Sequence, residues 1–313
     1  MDGGTQLRAS GSQYESMGSS KPINFKDLRN RFSHAENLPD LPTAAVRLCE
    51  MIDQGNATTA LLERVILGDP ALTAALLRQA SSAHFGGKPR DIGTVRGAIM
   101  LLGERAIRSM AVSLWVHSLM TDAADKSSFD VKRYARHSAF VGFTARYLES
   151  CRQRQGTPSC EWSPDEIFAA GLLHDLGVGL LAVSLPELYD KLALEASMRN
   201  WTMERIFTSK ANASLTALGA EAARAWNLPA VFSWVPEHFA DPMAAEKEVP
   251  ALCCLRYADF LANSNGYSLE EGELKLEPLD PKIISALGLP AEEFDGVVDL
   301  IASHVAAYTQ VAA

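Results

Sequence analysis

The sequence predicts an all-α fold, an N-terminal multi-helix subdomain packed on a second helical subdomain. Apolar residues recur every three or four positions along most of the 313 residues. No convincing run of alternating apolar and polar residues marks a strand. Residues that start helices (Thr58 or Thr59, Asp69-Pro70, Ser163-Pro164) stand where one apolar-periodic segment gives way to the next.

Composition narrows the functional classes. The chain is 47% hydrophobic and 21% charged, which suits a soluble protein long enough to bury a core. A net charge of −9 argues against wholesale nucleic-acid binding. No apolar run is expected to span a bilayer, which takes about 20 residues, and the start Met-Asp-Gly-Gly-Thr has no secretory pattern. The five cysteines form no Cys-x-x-Cys pair, and the adjacent Cys253 and Cys254 lie in an apolar segment. Buried thiols in a reducing cytoplasm are the simplest expectation.

Residues 1–22, rich in Gly, Ser and Gln, are expected to be disordered, with order from about Ile23. Leu-Pro-Asp-Leu-Pro (38–42) reads as an extended lead-in, because each Pro biases the residue before it away from helix. Ala45, Leu48, Cys49 and Ile52 form one helical stripe closed by Gly55. A helix then starts at Thr58 or Thr59, and Asp69-Pro70 starts another that ends between Ser81 and Gly87. Thr94–Leu102 and Arg105–Leu119 complete a subdomain over residues 23–120, and the polar run 121–128 is the boundary. The second subdomain, 129–264, opens with a helix over 130–150, followed by a loop over 152–162 and the stretch 163–179. Helices are expected over 185–199, 201–207 and 216–226, then a short one over 231–239 and a last one over 249–262. Residues 263–281 read as polar loop. The C-terminal extension, 265–313, carries one or two more helices around Ile283–Leu287 and Val297–Ile301.

The chemistry concentrates in Ser163–Gly179. Ser163 caps, Pro164 suits the first helical position, and Glu166 stands where a capping box needs a carboxylate. Ile167, Phe168, Leu172, Leu173 and Leu176 make the segment apolar nearly all round, so it should be buried. His174 and Asp175 lie inside that run, with Gly177 and Gly179 expected to end the helix just after them. A buried imidazole beside a buried carboxylate needs partners, and a metal ion or a hydrogen-bond network supplies them.

Two further polar residues fall on apolar stripes: His137, in line with Tyr134, Val141 and Ala145, and Asp259, in line with Leu252, Leu255 and Ala262. His137, His174, Asp175 and Asp259 make a reasonable shell for a single divalent ion such as Fe, Mn, Zn or Ni. Each also has an ordinary reading: a lone histidine in a stripe is commonly a satisfied core residue, and Arg256 lies one turn from Asp259 as an ion-pair partner. His34, His84, His117 and His304 are assigned to that ordinary class.

The order His137, His174-Asp175, Asp259 resembles the HD superfamily, metal-dependent phosphohydrolases on an all-helical fold. Leu-Pro-Asp-Leu-Pro, Gly68–Gly86, Asp91–Gly103, Ala-Gly-Leu-Leu-His-Asp-Leu-Gly and Ala-Trp-Asn-Leu-Pro (225–229) resemble, more specifically, the HDOD domain of bacterial signalling proteins, over roughly residues 36–264. The resemblance implies an HD-like second subdomain and a regulatory output role. Val178 stands where cyclic-dinucleotide phosphodiesterases of the HD-GYP type carry a Lys after the His-Asp-x-Gly turn. Leu215 precedes Gly219 where relatives often have a His, and a His-His pair is reduced to His238-Phe239. A two-metal site looks dismantled, while the one-metal set remains.

Three functions stay open from the sequence. The first is a stand-alone, non-catalytic signalling module acting through a partner protein such as a histidine kinase or a cyclic-dinucleotide enzyme, with no nucleic-acid or membrane partner. The second is a mononuclear phosphohydrolase of a nucleotide or other phosphoester. The third is a metal that pins helices or senses redox state. A hydrolase should gather cationic groups beside the ligands. Only Arg133 and Arg136, near His137, suggest themselves, and ordinary solvated residues explain them equally.

Overall fold

A computed structural model describes residues 24–40, 58–68, 94–121, 126–157 and 160–312, with positions 48, 50, 51, 73, 76 and 77 between them. The expectations for 1–22, for the Ala45–Gly55 stripe as a whole, for the Asp69-Pro70 start, for the 81–87 stop and for His84 lie outside the described residues. The described residues contain fourteen α-helices and no strand. In chain order α1 is Phe25–Phe32, α2 Thr59–Leu67, α3 Val95–Leu102, α4 Glu104–Thr121 and α5 Val131–Arg154. Then come α6 Pro164–Leu173, α7 Leu176–Ser184, α8 Pro186–Arg199, α9 Met203–Ala211 and α10 Leu215–Ala225. Helices α11 Val231–His238, α12 Val249–Ser264, α13 Pro281–Leu287 and α14 Val297–Ala312 complete the order.

Helix starts follow local chemistry. Thr58, Thr94, Asp130, Thr202 and Ser214 each cap by accepting a backbone N–H of the first turn. Ser163 forms the full capping box expected of it: its hydroxyl accepts from the Glu166 N–H, and the Glu166 carboxylate accepts from the Ser163 N–H at 3.0 Å. Glu166 is buried, so the box is the carboxylate's means of satisfaction. Ser163→Ala is expected to destabilise the fold by about 1–2 kcal/mol, measured by urea unfolding. An unchanged unfolding midpoint would show that the box is not needed.

The core is built around α5, which packs against α6, α12 and α14. Helix α4 lies on α6 and α7, and α10 on α7 and α11. Two helix crossings are closer than side chains permit. A Cβ on Gly171 would stand 2.5 Å from the Gly142 Cα, and one on Gly177 would stand 1.9 Å from the Leu215 carbonyl oxygen. These contacts press α6 onto α5 and α7 onto α10, fixing the frame of the central stretch.

Several expectations need correction. Gly177 and Gly179 do not end the central helix; α6 stops at Leu173, and both glycines lie inside α7. The bend falls on His174-Asp175 itself, and Gly177 is there for the close approach to α10. The supposed loop over 152–162 begins later, because α5 runs on to Arg154 with Arg152 buried against Glu149. Helix α1 was not expected. Only Leu28 and Phe32 of its residues are buried, too few for a visible stripe, and it packs on α10 with Arg29 paired to Glu221 at 2.7 Å. Finally, Pro164–Ser184 as one 21-residue run is apolar enough to cross a bilayer, contrary to the expectation of no such run, but it is bent and 89% buried in the protein. Cys253 and Cys254 are fully buried free thiols, as their apolar setting suggested.

Candidate metal centre and its cleft

Four side chains from four elements meet at one point. His137 comes from α5, where its stripe turns it into the core and leaves it 1% exposed. His174 closes α6 and Asp175 opens α7, so the bend between the helices aims both inward. Asp175 makes no capping bond with its side chain, which leaves the carboxylate for the cluster. Asp259 comes from α12. The Asp175 Oδ2 lies 3.2 Å from His174 Nε2 and 3.3 Å from His137 Nε2. The Asp259 Oδ1 lies 3.6 Å from His137 Nε2 and 3.9 Å from His174 Nε2. The two Nε2 atoms are 3.3 Å apart.

The far sides of both rings fix what the near sides present. His137 Nδ1 is 2.7 Å from the Tyr267 carbonyl, and His174 Nδ1 is 2.8 Å from the Gly171 carbonyl. A carbonyl only accepts, so each Nδ1 carries hydrogen and each neutral ring turns its Nε2 lone pair to the cluster. Two lone pairs then face two carboxylate oxygens with no donor among them, and the group needs a cation. The donor set of two imidazoles and two carboxylates fits a first-row divalent ion, with a backbone carbonyl orienting each imidazole.

A proton is the ordinary alternative. Burial pushes His174 down, but the Asp175 carboxylate, its hydrogen bond and Asp259 outweigh burial and bring it up to about 9. Burial likewise pushes Asp175 up, and the charges and hydrogen bonds of His174 and His137 hold it well below the usual carboxylate range. Asp259 also keeps the partner its spacing suggested: Oδ2 accepts from Arg256 at 2.7 Å, while Oδ1, which faces the histidines, accepts from Asn263 at 2.8 Å.

The cluster opens into a cleft of about 540 Å³ bordered by α7, α9, α12 and the segment 269–277. Val178 and Phe239 wall it on the cluster side, and the Phe239 ring lies 5.0 Å from the His174 ring. Leu215 is fully buried at the α7–α10 crossing. Three cationic residues border the same cleft: Arg205 and Lys275, which no pattern in the sequence marks, and Arg256, expected only as the ion-pair partner of Asp259. They come from α9, α12 and the 265–280 segment, so no local spacing links them. Two half-buried carboxylates join them. Glu204 accepts from the Leu215 N–H at 2.9 Å, and Glu270 accepts from the Met203 N–H at 2.5 Å. Burial, then Asp175, raise Glu204 to about 7, and burial raises Glu270.

Arg133 and Arg136 serve another purpose. Arg136 donates to the Gly266 carbonyl at 2.5 Å, and Arg133 pairs with Glu271 at 2.8 Å. Both hold the 265–280 segment. His34 and His304 bond the backbone of their own turns, as does His238, whose ring stacks on Trp234. The side chain of His117 lies outside the described residues.

An all-helical frame gathers His, His-Asp and Asp at a bend between two buried helices, the order that resembles the HD superfamily. More specifically, the chain belongs to the HDOD domain family, whose model matches residues 38–240. Asp259 lies beyond that match. An uncharacterized protein of Treponema pallidum (strain Nichols) is 22% identical over 260 residues, covering 82% of this chain and 47% of its own length. The chain thus spans about half the length of that curated relative. An HDOD domain protein of Geobacter sulfurreducens superposes with a TM-score of 0.65 at 18% identity, over 91% of this chain and 98% of that one. A candidate signal transduction protein of Marinobacter aquaeolei VT8 gives 0.64 at 20%, over 94% and 62%. A candidate metal-dependent phosphohydrolase of Shewanella amazonensis SB2B gives 0.63 at 21%, over 91% and 96%. At these identities the likeness is one of fold. The chain therefore carries an HDOD domain on the fold these structures share.

Proposed function

We propose that this chain is a cytoplasmic HDOD signalling module that holds one divalent ion between His137, His174, Asp175 and Asp259 and acts through a partner protein. A histidine kinase or a cyclic-dinucleotide enzyme is the class of partner proposed. One observation carries the reading: two Nε2 lone pairs, oriented by carbonyls behind them, converge with two carboxylate oxygens. Val178, Leu215 and Phe239 support a single ion, since apolar side chains stand at the positions where the family resemblance leads one to expect a Lys or a His. When bound, the ion supplies a fixed positive charge and Lewis acidity toward a ligand in the cleft. The residues do the rest. The Tyr267 and Gly171 carbonyls hold the two imidazoles in the tautomer that ligates, and Arg256 holds Asp259 in its orientation through Oδ2.

The convergence of Arg205, Arg256 and Lys275 on the same cleft favours a second reading, hydrolysis of a phosphoester. The test is metal content in protein purified without a chelating tag, alongside His174→Ala and Asp259→Ala. About one ion per chain in the wild type, and little in either variant, is expected for a mononuclear site. Absence of metal from a wild type supplied with Fe, Mn, Zn and Ni in turn, with both variants folded, overturns the reading. The loaded protein would then be assayed against nucleotides and other phosphoesters. Turnover lost in both variants selects the hydrolase, and no turnover leaves the signalling module.

A further inference from the structure

The 265–280 segment is more than a connection between α12 and α13, because its two halves are held in different ways. The first half is built in. The Tyr267 carbonyl takes the His137 Nδ1–H, and its ring stacks on Phe140 at 4.3 Å. Ser268 is buried, and Glu270 caps the start of α9 through the Met203 N–H. The second half, after Gly272, rests on the cleft mouth. Its ties are the Lys275 N–H to the Asn200 carbonyl at 2.7 Å, Arg205 to the Lys275 carbonyl at 3.0 Å, and an Arg205–Glu277 ion pair at 3.0 Å. Two of those three ties are made by one residue, Arg205. Glu277 is 75% exposed, and ion pairs so placed contribute little. Gly272 has φ +88 with nothing near a Cβ position, so the chain can turn there freely. Leu279 packs against the core and re-anchors the far end.

We propose that residues 273–278 form a gate over the cleft, latched by Glu277 on Arg205, and that an anionic ligand opens it by taking Arg205 from Glu277. The Glu277 carboxylate occupies the cation that a phosphate or carboxylate group of a ligand would meet at the cleft mouth. Displacing it also frees the Lys275 carbonyl from Arg205 and leaves Lys275, exposed at the rim, to follow the ligand inward. The first half stays in place, so the carbonyl that orients His137 is undisturbed by opening. This deepens the reading of the cleft as a ligand site, but the latch itself requires no ion.

Amide hydrogen exchange of the full chain, read by mass spectrometry with inorganic phosphate as the probe, tests the latch. Glu277→Gln is expected to speed exchange across 273–278 several-fold and leave 266–270 unchanged. Phosphate should do the same to the wild type and bind the variant about two- to fivefold more tightly, the span expected for losing an exposed ion pair. In Arg205→Ala, segment 273–278 should exchange fast with or without phosphate. Unchanged exchange in Glu277→Gln, equal loosening of both halves, or equal phosphate affinity in variant and wild type would overturn the proposal. Running the series with and without chelator separates the two readings. A responsive gate on a chain that binds no metal keeps the latch and removes the metal module, and a loaded site under an unresponsive gate does the reverse.

Discussion

Gly177→Ala is expected to destabilise the protein by about 3 kcal/mol or more and to abolish metal binding at the proposed site in the same step. The added Cβ would lie 1.9 Å from the Leu215 carbonyl oxygen and 2.8 Å from its carbon, both backbone atoms that no rotamer change can move. Relief therefore requires α7 to back away from α10. Asp175 opens α7 two residues earlier, so the retreat carries the carboxylate away from both Nε2 atoms. The neighbouring glycine is the control. A Cβ on Gly179 would meet the Met120 sulfur at 2.4 Å, but that is the far end of a flexible side chain. Alanine also removes the cost of glycine in a helix, so Gly179→Ala should cost no more than about 1–2 kcal/mol. Chemical unfolding and metal content of the two variants give the comparison. Equal effects would mean that the α7–α10 approach is not what Gly177 secures.

The same two glycines show where the sequence was legible and where it was not. Their position after His-Asp marked the site, but it suggested a helix stop because glycine ends helices more often than it joins them. Helix starts were readable where the signal is local, as at Thr58, Thr94 and Ser163. His137 and Asp259 were readable for a related reason: each is the odd polar residue on an otherwise apolar stripe. Helix α1 carried no such stripe, since its burial comes from α10, almost two hundred residues away in Glu221. The cations of the cleft were hidden most completely. Arg205 and Lys275 are unremarkable at their own positions, Arg256 was legible only as an ion-pair partner of Asp259, and only the packing of α9, α12 and the 265–280 segment brings the three to one cavity. Arg133 and Arg136 were noticed because they flank His137 in sequence, yet the helix turns them to the segment that shields the site. Residues that face the core announce themselves by pattern; residues that line an opening do not.

Arg152→Met should have the second large effect, and its dependence on pH identifies the cause. Arg152 and Glu149 are paired at 3.2 Å with side chains only 5% and 1% exposed. Arg152 also donates to the carbonyls of Ala286 and Leu287 at the C-terminal end of α13, so it ties the C-terminal helices to α5. Removing the guanidinium leaves a buried carboxylate without its cation, a change that costs roughly 3–5 kcal/mol. Burial already raises Glu149, and Arg152 is what opposes that rise. In the variant the folded carboxyl therefore titrates well above its unfolded value of about 4.3. Over that window the folded state binds more protons than the unfolded one, so stability falls as pH rises and the deficit is smaller at pH 5 than at pH 8. Replacing both partners, Arg152→Met with Glu149→Leu, should recover most of the loss and abolish its pH slope, because an apolar pair of similar volume tolerates burial. A deficit that is flat with pH and persists in the double variant would locate the cost in the α13 carbonyls instead. The carbonyl contacts would then be what Arg152 contributes in tying α13 to α5, and the Glu149–Arg152 pair would be incidental to the fold.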